Sequence, residues 1–204
     1  MAGTTTNYGW TYPTSTDLVK DGATAIQTAI QGADTSLFSI TSGKNVGLVH
    51  INTTTFTSGT TVQINNVFTS SFDNYLIQFS NVKCSVAANT TFRLSLSGTP
   101  ATTATYLNGQ IYWSASTPTT VTSTDTAFPI GGAGTTDNVG LSSILTLTNP
   151  AIAKPTGFHI QSEGNSTSNI INGTHQVSTA YDGMTFIGGT FTSGTIRIFG
   201  YRNS

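Results

Sequence analysis

The sequence predicts an all-β protein: an antiparallel, jelly-roll-like β-sandwich preceded by an extended arm and one short amphipathic helix. From residue 39 onward, apolar and polar residues alternate with the period of two that is typical of half-buried strands. Clusters of Gly, Ser, Thr, Asn and Asp separate the alternating stretches, as turns require. Only residues 15–38 show helical spacing. We therefore divide the chain into an arm with a helix, residues 1–38, and a β-sandwich domain, residues 39–204.

About ten stretches of the second region alternate in this way. They read VGLVHINTTTF, TVQINNVF, YLIQFSNVKCSV, TFRLSLSG, YLNGQIYW, GLSSILTLTN, GFHIQS, NIINGTHQVS, MTFIGG and GTIRIFGYR. Their number and spacing favour a two-layer antiparallel sandwich of the jelly-roll type. The longest irregular stretches predicted are a loop from Ser114 to Asn138 and the segment NPAIAKPT. Long loops on a rigid sandwich are common places for binding.

The chain contains few charges. Charged residues make up 7% of the sequence, against about 25% in ordinary soluble domains, while hydrophobic residues make up 36% and aromatic residues 10%. Hydroxyl and amide side chains must therefore keep the surface polar, and the aromatic residues supply material for a core. The net charge is −1 and no basic stripe is present, which argues against a nucleic acid as a partner.

The sequence also predicts no membrane partner. The start, MAGTTTNYGW, lacks the basic and apolar regions of a secretory signal peptide. No apolar run reaches the length of about 18 residues that a membrane-spanning helix needs. We expect synthesis in a cytoplasm.

The helical segment carries an apolar seam whose members are spaced alternately by four and three residues. These seam residues are Val19, Ala23, Ile26, Ile30, Ala33 and Leu37. This is the heptad spacing of a coiled coil, and Ile at its core positions favours three strands over two. Two interpretations remain open from the spacing alone. The seam either packs on the β domain of its own chain or joins copies of the chain.

The first residues form a candidate docking arm. Tyr8, Trp10 and Tyr12 alternate within NYGWTYP, a segment too short to have a core of its own. Large aromatic side chains in such a segment indicate that it packs onto another surface. We predict that these three residues anchor the protein.

The hexapeptide TFTSGT occurs twice, at Thr55–Thr60 and at Thr190–Thr195. No wider self-similarity accompanies the two copies, so they do not indicate a repeat architecture. We interpret each copy as a turn between strands, in which Ser and Gly allow a tight backbone. The repeat is structural in this interpretation.

No catalytic, metal or cofactor site is predicted. The eight acidic residues are scattered, and several of them occupy Asp-Asn or Asp-Gly turn contexts rather than a paired arrangement. His159 and His175 could meet on adjacent strands, but the sequence offers no third metal ligand. Cys84, the only cysteine, is predicted to be an inert strand residue.

Three aromatic residues near the long predicted loop are candidates for contact with sugars. Tyr106, Tyr112 and Trp113 could offer rings for stacking beside Asn and Gln amides. The alternative is that all three belong to the core of one strand.

Two parts of the chain resemble known virion proteins. The segment NYGWTYPTSTDLVKDGATAIQTAIQGADTSL resembles the N-terminal segment of tail-fibre and minor tail proteins of tailed bacteriophages. The stretches VFTSSFDNYLIQFSNV and DGMTFIGGTFTSGTIRIFGYRN are similar to the β domain of such proteins. The resemblance implies a homotrimer, which favours self-association through the helix seam. It implies no catalytic residue.

We therefore expect a structural virion protein: a trimeric tail-fibre or tail-tip component, exposed on the particle surface and bound to other virion proteins. A head fibre or a capsid decoration protein is the first alternative, because neither the arm nor the composition distinguishes tail from head. A carbohydrate-binding module that contacts host surface polysaccharide is the second. An enzyme is disfavoured because the chain has no paired carboxylates of the kind that glycoside hydrolysis uses.

Overall fold

A computed structural model of the chain describes residues 3–6, 9–14, 19–41, 47–114 and 117–202. The chain divides into two compact units between Gly47 and Leu48. The first contains the arm and the helix, and the second contains the β-sandwich. Within the described residues, no helix is long and apolar enough to cross a membrane.

The elements follow one another with short connections. In chain order they are β1 (Gly3–Thr4), β2 (Thr11–Tyr12), α1 (Val19–Thr41), β3 (Leu48–Phe56), β4 (Thr61–Ile64), β5 (Phe72–Cys84), β6 (Ala88–Leu96), β7 (Thr99–Pro100), β8 (Tyr106–Ser114), β9 (Thr117–Asp125), β10 (Phe128–Ala133), a 3-10 turn (Asp137–Val139), β11 (Leu141–Thr148), β12 (Thr156–Gly164), β13 (Thr167–His175), β14 (Gly183–Ile187) and β15 (Phe191–Arg202).

The predicted all-β class and the antiparallel sandwich are confirmed. One sheet has the order β3-β15-β5-β11-β12-β13-β8-β9, and the other has the order β10-β6-β14-β4 with the short β7 beside β6. The set β3, β15, β5 and β11 and the set β4, β14, β6 and β10 form the two four-stranded halves of a jelly roll. Along these eight strands the chain passes from one half to the other at every step except from β6 to β10, which are neighbours in the smaller sheet, as in two Greek keys.

Two hairpins are inserted into this jelly roll. The hairpin β8–β9 lies between β6 and β10 in the chain, and the hairpin β12–β13 lies between β11 and β14. Because β13 pairs with β8, the two hairpins together add four strands to one edge of the larger sheet. The turn between β12 and β13 has positive φ at both Asn165 and Ser166, as a two-residue hairpin turn of type I′ requires.

The core lies between the two sheets and is rich in Phe. Phe186 of β14 stacks on Phe191 of β15 with ring centroids 5.0 Å apart and touches Phe79 of β5 at the same distance. All three residues are at most 2% exposed. Burial of a side chain of this size stabilises a fold by about 1.5–3 kcal/mol. The aromatic residues of this weakly charged sequence are therefore concentrated where the sheets meet.

The ten strands predicted from alternation are all present, but the predicted loop from Ser114 to Asn138 is wrong. It contains two strands, β9 and β10. β9 escaped prediction because all but one of its nine residues are exposed, so no alternation is visible. β10 reads FPIGGA, and its Pro and Gly resemble a turn; Pro is tolerated there because β10 is an edge strand. The other predicted loop is irregular from Asn149 to Pro155, as expected.

The second TFTSGT copy is not a turn, which corrects the prediction. The first copy leaves β3 after Phe56 and turns at residues 57–60, whereas the second runs from Phe191 onward within β15. The two copies lie side by side, because Thr195 pairs with Thr55 and Gly194 pairs with Phe56. The difference arises from bulges in β15, where the register shifts on both sides of Ser193 and accommodates the small residues within a strand.

Candidate functional site

The structure separates the three aromatic residues that were predicted to contact sugars. They lie on one strand, β8, whose side chains alternate between the two faces of the larger sheet. Tyr106 and Tyr112 lie on the face toward the smaller sheet, and Trp113 lies on the outer face. The three rings therefore do not form one platform.

Tyr106 is a core residue, and its assignment to sugar contact was wrong. Its side chain is fully buried and stacks on His175 with ring centroids 4.0 Å apart. Its hydroxyl donates to the carbonyl oxygen of Ala101 at 3.0 Å and accepts from the backbone N–H of Leu94 at 3.2 Å. Burial raises the pKa of Tyr106 far above its usual value. The hydroxyl thus ties β8 to the smaller sheet.

Tyr112 lies in a cleft between the sheets, where the added strands extend past β10. The cleft has a volume of about 630 Å³, and Gln110, Arg93 and Asp125 also line it. Arg93 donates through Nε to the carbonyl oxygen of Thr126 at 2.9 Å, and Asp125 accepts from the amide of Asn108 at 3.0 Å. The two charged side chains are thus held by contacts within the chain.

Trp113 lies at one end of a groove on the outer face of the larger sheet. We call this the Trp113 groove. It crosses β8, β13, β12, β11 and β5 and has a volume of about 530 Å³. Its main outward-facing side chains are Gln78, Ser80, Trp113, Ser142, Ile144, Gln161, Glu163, Ser168 and Ile170.

The strand register explains the shape of the groove. Trp113 is opposite Ser168, Ser168 is opposite Glu163, and Glu163 is opposite Ser142 on four successive strands. The small serines on either side of Glu163 leave a low floor, and the Trp113 indole, 37% exposed, stands at its end. A second row, the next on the same face, contains Ile170, Gln161 and Ile144 in register, so two isoleucines with an amide between them border the floor.

The groove combines one carboxylate with neutral hydroxyl and amide groups. Glu163 is the one charged residue among the lining residues that the structure describes. The sequence analysis did not identify Glu163, Gln161 or the two serines. The alternation of GFHIQS and its continuation did place Gln161 and Glu163 on one face of a strand, but only the register shows that this face continues that of Trp113.

The helix seam is exposed in the single chain. The exposed fraction is 97% for Val19, 52% for Ile26, 63% for Ile30 and 61% for Leu37. Ala23 is exposed as well, and Ala33 is half-buried. The heptad spacing therefore produces a continuous apolar face, and most of that face is in contact with solvent.

The arm packs on a different face of the same helix. The indole of Trp10 lies so close to Gly32 that a β-carbon there would be 2.9 Å from the ring. Gly32, which weakens an isolated helix, is thus required for this contact. Trp10 is therefore in contact with its own chain. Tyr12 covers Gly3 and is 43% exposed, and Tyr8 lies outside the described residues.

The histidines do not meet. His159 lies on the outer face opposite Asn172, whereas His175 is buried and its ring bonds with the hydroxyls of Tyr181 at 2.7 Å and Thr105 at 3.1 Å. Burial lowers the pKa of His175. No group of metal-ligating side chains occurs among the residues that the structure describes.

Cys84 is buried at 1% exposure, and burial raises the pKa of its thiol. Because the thiolate is the reactive form, Cys84 is an inert strand residue, as the sequence indicated.

Comparisons with known proteins do not assign the chain to a family. No protein-family model and no curated protein matches it. Among solved structures, the CBM2 module of the evolved Dit of Lactobacillus casei BL23 phage J-1 aligns with a TM-score of 0.32 at 12% identity, covering 71% of this chain and 69% of that chain. The infectious bursal disease virus VP2 subviral particle aligns with a TM-score of 0.12 at 12% identity, covering 76% of this chain and 36% of that chain.

Proposed function

We propose that the protein is a structural virion protein of a tailed bacteriophage: a homotrimeric tail-fibre or tail-tip component exposed on the particle surface. Residues 1–38 anchor it to other virion proteins, and the β-sandwich points toward the host. The sequence resemblance at both ends of the chain supports the phage assignment. The exposed apolar seam of α1 carries the proposal of a trimer.

The seam needs a partner because its residues are costly to leave in water. Full burial of a side chain such as Ile stabilises by about 1.5–3 kcal/mol relative to exposure. Val19, Ile26 and Ile30 are each more than half exposed in the single chain. Trp10 already occupies another face of the helix, at Gly32. Two further copies of the same helix would cover the seam in the knobs-into-holes manner that heptad spacing provides.

Trimerisation would serve attachment through avidity. Three sandwiches held on one platform turn the second and third contacts with a surface into intramolecular events. Weak individual contacts then suffice for stable attachment.

In this proposal the protein needs no cofactor and catalyses no reaction. Its acidic side chains have structural roles, such as Asp182, whose carboxylate accepts from the backbone N–H of Ser97 at 3.0 Å.

Size-exclusion chromatography with light scattering tests the trimer. We expect the wild type to have three times the chain mass at micromolar concentration. Changing both Ile26 and Ile30 to Gln should give a folded monomer, because it removes the apolar centre of the seam. Gln27 and Gln31 are exposed residues outside the seam, and changing both to Asn is the matched control that should remain trimeric. A monomeric wild type, or equal behaviour of both variants, would contradict the proposal.

A head fibre or capsid decoration protein is the alternative location for the same trimer. The exposed Tyr12 provides a test of the anchor that keeps Trp10, the arm residue in contact with Gly32 of the helix. We expect Tyr12→Ser trimers to form normally but to join particles poorly. Cryo-EM of whole particles distinguishes tail from head. Normal incorporation of Tyr12→Ser trimers would show that Tyr12 is not part of the anchor.

A further inference from the structure

We propose that the Trp113 groove binds a neutral polysaccharide chain, laid across strands β8, β13, β12 and β11. The inference deepens the proposed function. It rests on that function in one respect: the host surface is taken as the source of the ligand. It differs from the sequence-based hypothesis in its residues, because Tyr106 is buried and Tyr112 faces the cleft.

The indole of Trp113 supplies the apolar contact that a sugar ring needs. A pyranose ring presents C–H groups on its faces, and a flat aromatic side chain matches such a face. Trp113 is partly exposed on a strand, with Ser168 opposite on the next strand. Because serine is small, a ring stacked on Trp113 is not obstructed from that side. The backbone ladder on both sides of β8 fixes the main chain of Trp113 before a ligand binds.

The floor of the groove supplies hydrogen-bonding groups suited to sugar hydroxyls. Glu163 accepts through two carboxylate oxygens, and Gln161 and Gln78 each donate and accept through their amides. Ser142 and Ser168 add hydroxyls that turn to suit the partner. Hydroxyls of a sugar also act as donors and acceptors, so this mixture matches them better than it matches an apolar or a strongly charged ligand.

The charge of the groove selects against acidic polysaccharides. Among the described residues that line it, Glu163 alone is charged, and a carboxylate repels the carboxylates or sulfates of such chains. Phosphate-rich ligands fit poorly as well, because the cation beside the lining, Arg197, lies at the β5 end of the groove, where it donates to Ser80 at 3.4 Å, and not between Trp113 and Ser142. A neutral glycan remains the ligand class that both the polar groups and the charge fit.

The dimensions favour a chain over a single sugar. Neighbouring strands lie about 4.8 Å apart, so the path from Trp113 on β8 to Ser142 on β11 spans three spacings, or about 14 Å. The floor along this path is continuous, because each residue is directly opposite the next in the register. An oligosaccharide of several units can therefore contact Trp113 and Glu163 at the same time.

Tryptophan fluorescence offers a direct measurement of binding. The chain contains two tryptophans, Trp10 and Trp113, so Trp10→Phe leaves Trp113 as the single reporter. We would titrate this variant of the full chain with oligosaccharides of dextran, galactan and chitin as neutral probes, and with polygalacturonate as the acidic probe. We expect a saturable change in emission with at least one neutral probe and none with the acidic probe.

Variants then locate the site by calorimetry with the neutral probe that binds. Trp113→Ala should weaken binding by about tenfold or more, since it removes the stacking surface. Glu163→Gln should weaken it by a few-fold while leaving the fold intact. Tyr201→Ala is the matched control, because Tyr201 is an aromatic residue of similar exposure, 39%, on the outer side of β15, outside the groove lining. We expect its affinity to equal that of the wild type.

Several results would overturn the inference: no response to any neutral probe, stronger binding of the acidic probe, or equal losses in Trp113→Ala and Tyr201→Ala. Light scattering on the same samples keeps the two proposals separate. A monomer that still binds the neutral glycan would contradict the proposed trimer and leave the groove assignment standing. A trimer without glycan binding would contradict the groove assignment alone.

Discussion

Strands β9 and β10 follow each other in the chain, yet they bury their residues very differently. β10 belongs to the jelly roll and buries four of its six residues, including Phe128 and Ile130. β9 belongs to an inserted hairpin, and none of its nine residues is buried. The smaller sheet ends at β10, so it does not cover the outermost added strand. Side-chain packing thus specifies the jelly-roll strands, whereas the outermost inserted strand depends mainly on backbone pairing with β8.

This difference bears on where binding resides. Positions that fill a core tolerate little change, because a change in volume leaves a cavity or causes a clash. Outward positions on the inserted strands can change without loss of the fold. Trp113, Ser168 and Glu163 all lie on the added strands, and β11 and β5 of the jelly roll complete the groove.

The largest expected effect compares a core residue with an inserted one. Phe186→Ala removes a fully buried ring that packs on Phe79 and Phe191, and should lower the free energy of unfolding by about 3–5 kcal/mol. Val121→Ala in β9, where the side chain is 36% exposed, should lower it by about 0.5 kcal/mol or less. Urea unfolding followed by far-UV circular dichroism measures both. Similar losses would show that β9 is packed as tightly as the core.

The jelly-roll strands were predictable from the sequence for the same reason that they are stable. Inward positions such as Ile196 and Ile198 are fully buried and alternate with half-exposed ones, so apolar and polar residue types alternate visibly along the strand. Threonine at exposed positions hides that period in β9. The second TFTSGT copy was misread because a bulged strand and a turn use the same small residues.

The candidate groove was less predictable than the fold. Trp113 was identified from its residue type, but Tyr106 was assigned with it, because alternation puts the two on opposite faces of the strand without revealing which face is the buried one. Glu163 and Ser142 join Trp113 only through the pairing of β13 with β8, two strands separated by more than fifty residues of chain. The local sequence contains no signal for such a pairing, which depends on the whole sheet.

The next effect tests the junction of the two hairpins. A β-carbon at Gly173 would lie 2.1 Å from the carbonyl oxygen of Leu107 and 2.3 Å from the ring of Phe158, so Gly173→Ala forces β13 and β8 apart. We expect a loss of about 1–3 kcal/mol. Gly109→Ala is the matched control on β8, because the nearest atom to its added carbon is 3.9 Å away.

The fluorescence of Trp113, in the Trp10→Phe background, reports on the added strands during this unfolding experiment. In Gly173→Ala we expect the Trp113 transition to occur at lower urea concentration than the circular dichroism transition. In Gly109→Ala the two transitions should coincide. If the two transitions coincide in Gly173→Ala and no stability is lost, the inserted hairpins unfold together with the jelly roll. That result would contradict the expectation.

A smaller effect concerns pH and the buried His175, the last residue of β13. Burial lowers the pKa of its imidazole in the folded chain below the value of about 6.5 in the unfolded chain. The unfolded chain therefore binds the proton more readily. The contribution of His175 to stability should be constant above about pH 6.5 and should fall as the pH drops below it, with a slope of at most about 1.4 kcal/mol per pH unit.

Urea unfolding of His175→Asn at pH 7 and pH 5 measures the contribution of this residue. The variant should be less stable than the wild type at pH 7, because it loses the contacts with Tyr181 and Tyr106, but it should lose less stability on acidification. An unchanged pH dependence in His175→Asn would refute the assignment.

The smallest effect belongs to the surface of the jelly roll, where Lys83 of β5 donates to the Asp137 carboxylate at 2.6 Å. This hydrogen bond, with a second from the Asn81 amide at 3.1 Å, lowers the pKa of Asp137. The stabilisation is present above the unfolded pKa of about 3.9 and is lost as the pH falls through the depressed folded value. Because the side chain of Asp137 is 74% exposed, solvent screens the pair and little stability depends on it.

A double-mutant cycle of Lys83→Met and Asp137→Asn at pH 7 measures the coupling energy between the two side chains. We expect this energy to be smaller than the loss of stability in Gly173→Ala. It should shrink further at about 1 M salt, where charges are screened beyond a few ångströms. A coupling that exceeds the cost of Gly173→Ala would mean that surface charge contributes more to the jelly roll than the close packing where the inserted hairpins meet.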